Sequence, residues 1–219
     1  MRKLLIDRAV GKHKANRRHG RSRTEKECTW YKMAVYCRIV IFLNLWYSKI
    51  KGGMYMKILA MSDSHSGLRF MRLCIERLKP QQVIHLGDLY EDAQVMQEEF
   101  PYIRFHMVPG NCDSYLIRNR EPAVLCYDID GVRLMMTHGH LHGVKSGLSR
   151  LIADARQMNA QGVLFGHTHE KLSYREEDGL WIINPGSCRS DHGSVALLET
   201  ADGKISACAH LTLTDILEL

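Results

Sequence analysis

Two histidines separated by a single residue follow an apolar run late in the chain. Residues 162–166 have the length of a short buried strand, and His167 and His169 come directly after it. On an extended backbone, residues two apart point to the same side, so both imidazoles can face the crevice beyond the strand. Two imidazoles in one crevice most often bind a metal ion. Two solvated loop histidines are the alternative, and the pair alone does not decide between them.

Polar residues able to bind metal also follow apolar runs at four places nearer the N-terminus. They are Asp63 with His65, then Asp88, Asn111 and His138. If the apolar runs are strands, these side chains collect with the two later histidines along one rim of the fold.

The seven residues together offer two carboxylates, four imidazoles and one amide, which exceeds what one tetrahedral ion takes. Such a set fits two divalent ions roughly 3.5–4 Å apart, a spacing typical of enzymes that attack phosphorus in line. Nitrogen and oxygen ligands without thiolate favour manganese, iron, zinc, nickel or cobalt over a structural zinc site, and manganese is the first expectation.

The elements that must position these residues alternate between strand and helix early and form hairpins late. Strands are predicted at 57–61, 83–86, 103–108, 132–136 and 162–166, and helices at 71–78, 91–100 and 147–158. Further strands follow at 171–175, 180–184, 194–199 and 204–213, with hairpin turns at Asp178-Gly179 and Asp202-Gly203. This order predicts an α/β fold with one mixed sheet or two packed sheets and helices outside.

Five short motifs carry a resemblance to a known family. They are Asp63-x-His65, Gly87-Asp88, Gly110-Asn111-x-Asp113, His138-Gly139-His140 and Gly166-His167-x-His169. In this order they resemble the calcineurin-like metallophosphoesterases. The forms Gly-Asn-Cys-Asp, Thr-His-Gly-His and Asn184-Pro185-Gly186-Ser187 look most like the small phosphodiesterases of the YfcE/MJ0936 type. The resemblance covers about residues 56–215 and implies an αββα fold, a two-sheet β-sandwich flanked by helices.

The resemblance also implies a role for each ligand. Asp63, His65 and His169 would hold one ion, and Asn111, His138 and His167 would hold the other. Asp88 would bridge the two ions. A hydroxide between them would attack the phosphorus of a small phosphate ester, which makes the chain a metal-dependent hydrolase and favours a phosphodiesterase. Asn111, Cys112, Asp113 and His138 are the residues expected to take part in catalysis.

Cys112 departs from the commoner family pattern, in which a histidine follows the asparagine. An imidazolium donates a proton to a leaving alkoxide well, whereas a thiol does so weakly. Diesters with good leaving groups should therefore be favoured over alkyl monoesters. Asp113, which would orient such a histidine, is present. A small buried thiol with no catalytic role is the alternative for Cys112.

Several further interpretations stay open. His140 is placed to contact phosphate, and Arg189 and His192 are placed to line the mouth of the site. A phosphomonoesterase is the nearest enzymatic alternative, and a non-catalytic scaffold of the same fold is another. Scaffold members lose metal ligands, whereas every ligand position is filled here. The sequence does not decide whether the protein forms a homo-oligomer.

The first 55 residues differ in charge from the rest of the chain. They hold 14 Lys or Arg and 3 Asp or Glu, whereas residues 56–219 hold 16 and 21. The acidic body does not indicate nucleic-acid binding, and the apolar stretch 33–47 is too short and interrupted for a membrane helix. Seven cysteines without CxxC spacing favour reduced thiols and a cytoplasmic location.

Residues 1–55 are interpreted as a disordered basic arm or as translated sequence upstream of the natural start. The triplet Lys51-Gly52-Gly53 can be encoded by a bacterial ribosome-binding sequence, and Met56 follows at a suitable spacing. Residues 56–219 would then form the metallophosphoesterase domain.

A variant that starts at Met56 should fold and keep its metal binding and activity, because no motif lies upstream. Circular dichroism, metal content and phosphoesterase rate compared with the full chain would check this. Loss of solubility or of metal on removing residues 1–55 would show that the leader belongs to the domain.

Overall fold

A computed structural model describes the protein over residues 55–118, 121–189 and 192–219. The predictions made for residues 1–54, including the apolar stretch 33–47, lie outside these described residues. Within them, no helix combines the length and the apolar character needed to cross a bilayer.

In the described part of the chain, ten strands form two five-stranded mixed sheets. The first sheet has the order β10-β9-β1-β2-β3, with β1 parallel to β2 and antiparallel to β9. The second has the order β4-β5-β6-β8-β7, with β5, β6 and β8 parallel. The first-sheet strands are β1 (Tyr55–Met61), β2 (Gln82–His85), β3 (Arg104–Met107), β9 (Ser194–Ala201) and β10 (Lys204–Thr212). The second-sheet strands are β4 (Val124–Ile129), β5 (Val132–Thr137), β6 (Gly162–Leu164), β7 (Lys171–Arg175) and β8 (Trp181–Pro185).

Among residues 55–118, 121–189 and 192–219, five helices accompany the sheets. They are α1 (Leu68–Leu78), α2 (Tyr90–Glu99), α3 (Ser114–Arg118), α4 (Ser149–Gln157) and α5 (Leu213–Leu217). Two single 3₁₀ turns, His140–His142 and Val144–Ser146, follow β5.

The central strands are apolar throughout because both of their faces are buried. On β1, Ile58 and Ala60 pack into the core between the sheets, whereas Leu59 and Met61 face the helix layer with α1. On the second sheet, Val163 packs on the outer side with Leu151 of α4. Strands covered on both faces read as continuous apolar runs. The structure therefore has four layers, and the predicted two-sheet sandwich with helices outside is confirmed.

The structure adds elements that the sequence pattern did not predict. Strand β4 pairs antiparallel with β5 through a turn at Asp130-Gly131, and it lies at a sheet edge with mostly half-buried residues. Its pattern therefore lacks the fully buried run that marks β1. The helices α3 and α5 span five residues each, too few for a helical period to show.

Candidate metal centre

The seven candidate ligands lie in the loops that follow five strands of the two sheets. Loops after β1, β2 and β3 of the first sheet carry Asp63, His65, Asp88 and Asn111, and loops after β5 and β6 of the second carry the three other histidines. Cross-sheet hydrogen bonds hold the two sets of loops together. The structure thus brings the predicted ligands to one rim.

Four of these residues form the tightest group. The ligand atoms of Asp63, His65, Asp88 and His169 all lie within 4.8 Å of one another. The closest approach is 3.1 Å, between Asp63 Oδ1 and His169 Nε2, and His65 Nε2 lies 3.8 Å from Asp88 Oδ2. Carboxylate oxygen and imidazole nitrogen at such spacing suit a divalent cation.

The buried Asp63 carboxylate uses its two oxygens differently. Oδ2 accepts hydrogen bonds from the Ser62 hydroxyl (2.6 Å) and the His167 backbone N–H (3.0 Å). Oδ1 has no hydrogen-bond partner among the described residues, since the His169 ring, although near, is not oriented to donate to it. An unpaired buried carboxylate oxygen is costly. A cation between Oδ1 and His169 would satisfy both atoms, so these residues fit a bound metal.

A second group of candidate ligands consists of His138, Asn111 and His167, with His138 at its centre. It is fully buried, and its Nδ1 donates to the Leu86 carbonyl at 2.6 Å, because a carbonyl only accepts. In the neutral ring, this arrangement leaves Nε2 as the nitrogen with a lone pair, as in metal-binding histidines oriented in this way. Nε2 lies 3.1 Å from Asn111 Oδ1, so the nitrogen and the amide oxygen are close enough to be ligands of one cation. The His167 ring lies edge-on to His138 with ring centres 5.1 Å apart.

The Asp88 carboxylate lies between the two groups. Its Oδ2 faces His65, whereas its Oδ1 lies 3.5 Å from His138 Nε2 and accepts the Cys112 N–H at 2.9 Å. Burial acts to raise the pKa of Asp88, but the Cys112 N–H and the nearby imidazoles outweigh it, so this pKa lies below its ordinary value. The carboxylate is thus ionised and offers one oxygen to each group.

The backbone at these ligands is strained, which corrects one prediction. His167 and His169 have φ of 68° and 61°, so the loop is left-handed at both rather than extended. The two imidazoles therefore approach different partners, His138 and Asp63, instead of facing one way. Positive φ also occurs at the three other ligand residues that follow β1 and β2, which are Asp63 (52°), His65 (42°) and Asp88 (59°).

Gly166 allows the loops of the two sheets to meet. A Cβ there would lie 1.8 Å from the Ser62 hydroxyl oxygen and 2.8 Å from Asp63 Oδ2. Its N–H donates to the His138 carbonyl at 3.1 Å. A residue larger than glycine at position 166, where the loop after β6 begins, would clash with the Ser62 and Asp63 side chains.

Asp113 has a different task from the one predicted. Its buried carboxylate accepts four backbone N–H groups, from Asp88 (3.0 Å), Leu89 (3.1 Å), Tyr90 (3.1 Å) and Gly110 (2.8 Å). Three of these belong to the loop and first turn of α2, where free N–H groups favour a negative charge. Asp113 therefore positions Asp88 and is not free to orient a group at position 112.

Cys112 is exposed at the edge of the site, so the alternative of a buried packing thiol is wrong. Asn111 Nδ2 lies 3.5 Å from its sulfur. Partial desolvation, and then the Asp88 carboxylate, raise the pKa of the Cys112 thiol to about 11. The thiol is therefore protonated at neutral pH and a weak proton donor.

Asn184 and Ser187 have a positioning role that the sequence showed only as a motif. The buried Asn184 amide donates to the Gly166 carbonyl (3.2 Å) and to Thr168 Oγ1 (2.9 Å). The Ser187 hydroxyl donates to the Asp63 backbone carbonyl at 2.8 Å. The end of β8 and the loop after it thus hold the Asp63 loop and the histidine loop in place.

His140 extends the histidine cluster. Its ring centre lies 5.3 Å from that of His138 and 6.2 Å from that of His167. Its Nδ1 is buried without a hydrogen-bond partner among the described residues. Burial, and then the two neighbouring imidazoles, lower the pKa of His140. His140 therefore lies beside the ligands as a neutral ring.

Comparison with known proteins agrees with this geometry. The model of the calcineurin-like phosphoesterase superfamily domain matches residues 56–203, more than half of the chain. The chain belongs to that superfamily.

Individual phosphoesterases are also similar to this chain in sequence or structure. A probable metallophosphoesterase of Bacillus subtilis, YsnB, is 32% identical over 136 residues, covering 61% of this chain and 76% of its own length. Phosphodiesterase MJ0936 of Methanocaldococcus jannaschii is 30% identical over 154 residues, covering 61% of this chain and 84% of its own. The solved structure of an archaeal phosphodiesterase superposes with a TM-score of 0.54 at 26% identity, covering 72% of this chain and 100% of that one.

Replacing Asp113 by alanine should destabilise the protein, because four backbone donors lose their acceptor. We expect a loss of roughly 2–4 kcal/mol in the free energy of unfolding of the metal-free protein. Urea unfolding would measure this loss. Asp128→Ala is a matched control, because that carboxylate is exposed and its ion pair, within the described residues, is with exposed Arg133. Equal midpoints for the two variants would contradict the positioning role of Asp113.

Proposed function

We propose that the protein is a dinuclear-metal-dependent phosphodiesterase. The observation that carries this proposal is the position of the Asp88 carboxylate, whose oxygens lie 3.8 Å from His65 Nε2 and 3.5 Å from His138 Nε2. One oxygen faces each ligand group, which is the arrangement that a bridging carboxylate needs.

The donor set indicates which residues would hold the ions. Asp63, His65 and His169 would hold one, Asn111, His138 and His167 the other, and Asp88 both. When bound, two divalent ions would lower the pKa of a water molecule and neutralise the phosphoryl oxygens. Manganese is the ion proposed first, because the donors are nitrogen and oxygen without thiolate.

The protein's own residues prepare the site for this chemistry. The Leu86 carbonyl fixes the tautomer and orientation of His138, and the Cys112 N–H orients Asp88. Both interactions are made by the protein alone, so they orient the two side chains without a contribution from substrate.

The preference for diesters is supported by Cys112 and by two relatives. The protonated thiol gives little help to a poor leaving group, which disfavours alkyl monoesters. Phosphodiesterase MJ0936 and the archaeal structure are both described as phosphodiesterases. The filled ligand positions, together with the unpaired Asp63 Oδ1, weigh against a scaffold without catalysis.

The proposed activity is tested by hydrolysis of bis(p-nitrophenyl) phosphate by metal-free protein with and without added Mn²⁺. We expect turnover that depends on the metal and is abolished by a chelator. Absence of turnover with Mn²⁺, Fe²⁺, Zn²⁺, Ni²⁺ and Co²⁺ would contradict the proposal.

Replacing Asp88 by asparagine should weaken both ions, because the lost charge lies between the two groups. Asp63→Asn should empty mainly one site and serves as the matched comparison. Elemental analysis after equilibration with Mn²⁺ should give two ions per chain in the wild type, about one in Asp63→Asn and fewer in Asp88→Asn. Equal metal content in the wild type and Asp88→Asn, with both proteins folded by circular dichroism, would contradict the assignment of Asp88 as the bridging ligand.

Replacing Cys112 by histidine should supply a stronger proton donor at the edge of the site. General acid catalysis contributes ~10²–10⁴-fold, so a partly aligned imidazole should raise kcat/KM measurably for alkyl esters. The gain should be smaller for p-nitrophenyl esters, whose leaving group needs little help. Cys112→Ser is the control without an imidazole. A gain that is uniform across leaving groups, or no gain, would show that position 112 does not set substrate preference.

A further inference from the structure

A pocket of about 600 Å³ opens beside the metal centre. His65, which belongs to the tight ligand group, also lines this pocket, so the pocket adjoins the candidate metal centre. The walls come from the start of α1, the loop after β8 and the C-terminal helix α5. At Gly67 a Cβ would lie 2.4 Å from the Cys188 carbonyl oxygen, so the α1 wall and the β8 loop are held in close contact.

The charged side chains of the pocket are positive. Arg69 and Arg189 line it and are both exposed, and no acidic side chain is among the described residues that line it. The arginines with a carboxylate in salt-bridge distance, within the described part of the chain, are Arg72, Arg133 and Arg156. The guanidinium groups at the pocket are therefore available to bind an anion.

The start of α1 adds to this positive potential. Its N-cap residue, Gly67, gives no side-chain cap, and its first turn contains no acidic residue. The unpaired N–H groups of a helix start favour negative charge, and two guanidiniums bind phosphate or carboxylate well. The pocket therefore has a positive character that favours an anionic group in a ligand.

The remaining walls are apolar. Phe70, Leu73, Leu213 and Leu217 line the pocket, and the Leu217 side chain is exposed. Apolar walls with a few charged groups are typical of small-molecule pockets and not of solvated loops. Apolar side chains and two arginines therefore line the same pocket.

We infer that this pocket holds one arm of the phosphodiester substrate, and that this arm has an apolar segment ending in a second anionic group. The inference rests on the proposed phosphodiesterase function and names a substrate class for the same site. Arg69 and Arg189 are the specificity-determining residues for that arm.

Two p-nitrophenyl diesters test the inference, one with a plain hexyl arm and one whose hexyl arm ends in a phosphate. With Mn²⁺ bound, the wild type should turn over the phosphate-ended ester with a kcat/KM about tenfold higher or more, mainly through KM. Arg69→Gln and Arg189→Gln should each reduce this preference, and the double variant should abolish it. Added salt should also reduce it.

Arg77→Gln is the matched control, because Arg77 is an exposed arginine of the same helix that does not line the pocket. It should leave the preference unchanged. Equal kcat/KM for the two esters, or a preference that survives in the double variant, would overturn the inference.

A binding measurement separates this inference from the proposed function. Hexane-1,6-bisphosphate should bind the Mn²⁺-loaded wild type more tightly than the Arg69→Gln/Arg189→Gln variant in calorimetry, whether or not any ester is hydrolysed. Arginine-dependent binding without turnover of any diester would contradict the proposed function and leave the pocket assignment standing. Binding equal in both proteins would overturn the pocket assignment.

Discussion

The buried Asp63 carboxylate joins the two sheets where their strands end. The residue follows β1 of the first sheet, and its Oδ2 accepts the backbone N–H of His167, which follows β6 of the second. Its own backbone carbonyl accepts the Ser187 hydroxyl from the loop after β8. The same side chain offers its unpaired Oδ1 to the ligand group. The position of the metal centre is therefore a direct consequence of how the sheets pack.

This arrangement stores strain at the ligands. Positive φ at a non-glycine residue costs of order 1–3 kcal/mol and persists only where surrounding structure imposes it. Here the hydrogen bonds of Asp63, Asp113 and Asn184 to neighbouring backbone groups impose it. Ions held at these ligands would offset part of this cost, and metal affinity would then be coupled to fold stability.

Polar residues outside the ligand set therefore also position the candidate metal centre. The Asp113 carboxylate accepts hydrogen bonds from the N–H groups around Asp88. The Asn184 amide donates to the loop that carries His167. Each is almost fully buried, and each has its hydrogen-bonding groups used. Such side-chain hydrogen bonds fix the loop backbone, so a ligand residue can be held in place although it does not lie in a helix or strand.

The sequence by itself determined which segments are buried strands and which residues are candidate metal ligands. A strand covered on both faces must be apolar throughout, and a polar residue directly after it is conspicuous, as Asp63 and Asp88 are. Tertiary structure decided what local pattern does not contain. Edge strand β4 is only half covered, so its residues carry no clear pattern. The backbone at His167 is left-handed because the Asp63 loop, 104 residues away in the chain, binds its N–H. The task of Asp113 likewise depends on N–H groups up to 25 residues away, which come within reach only because β2 and β3 are parallel neighbours.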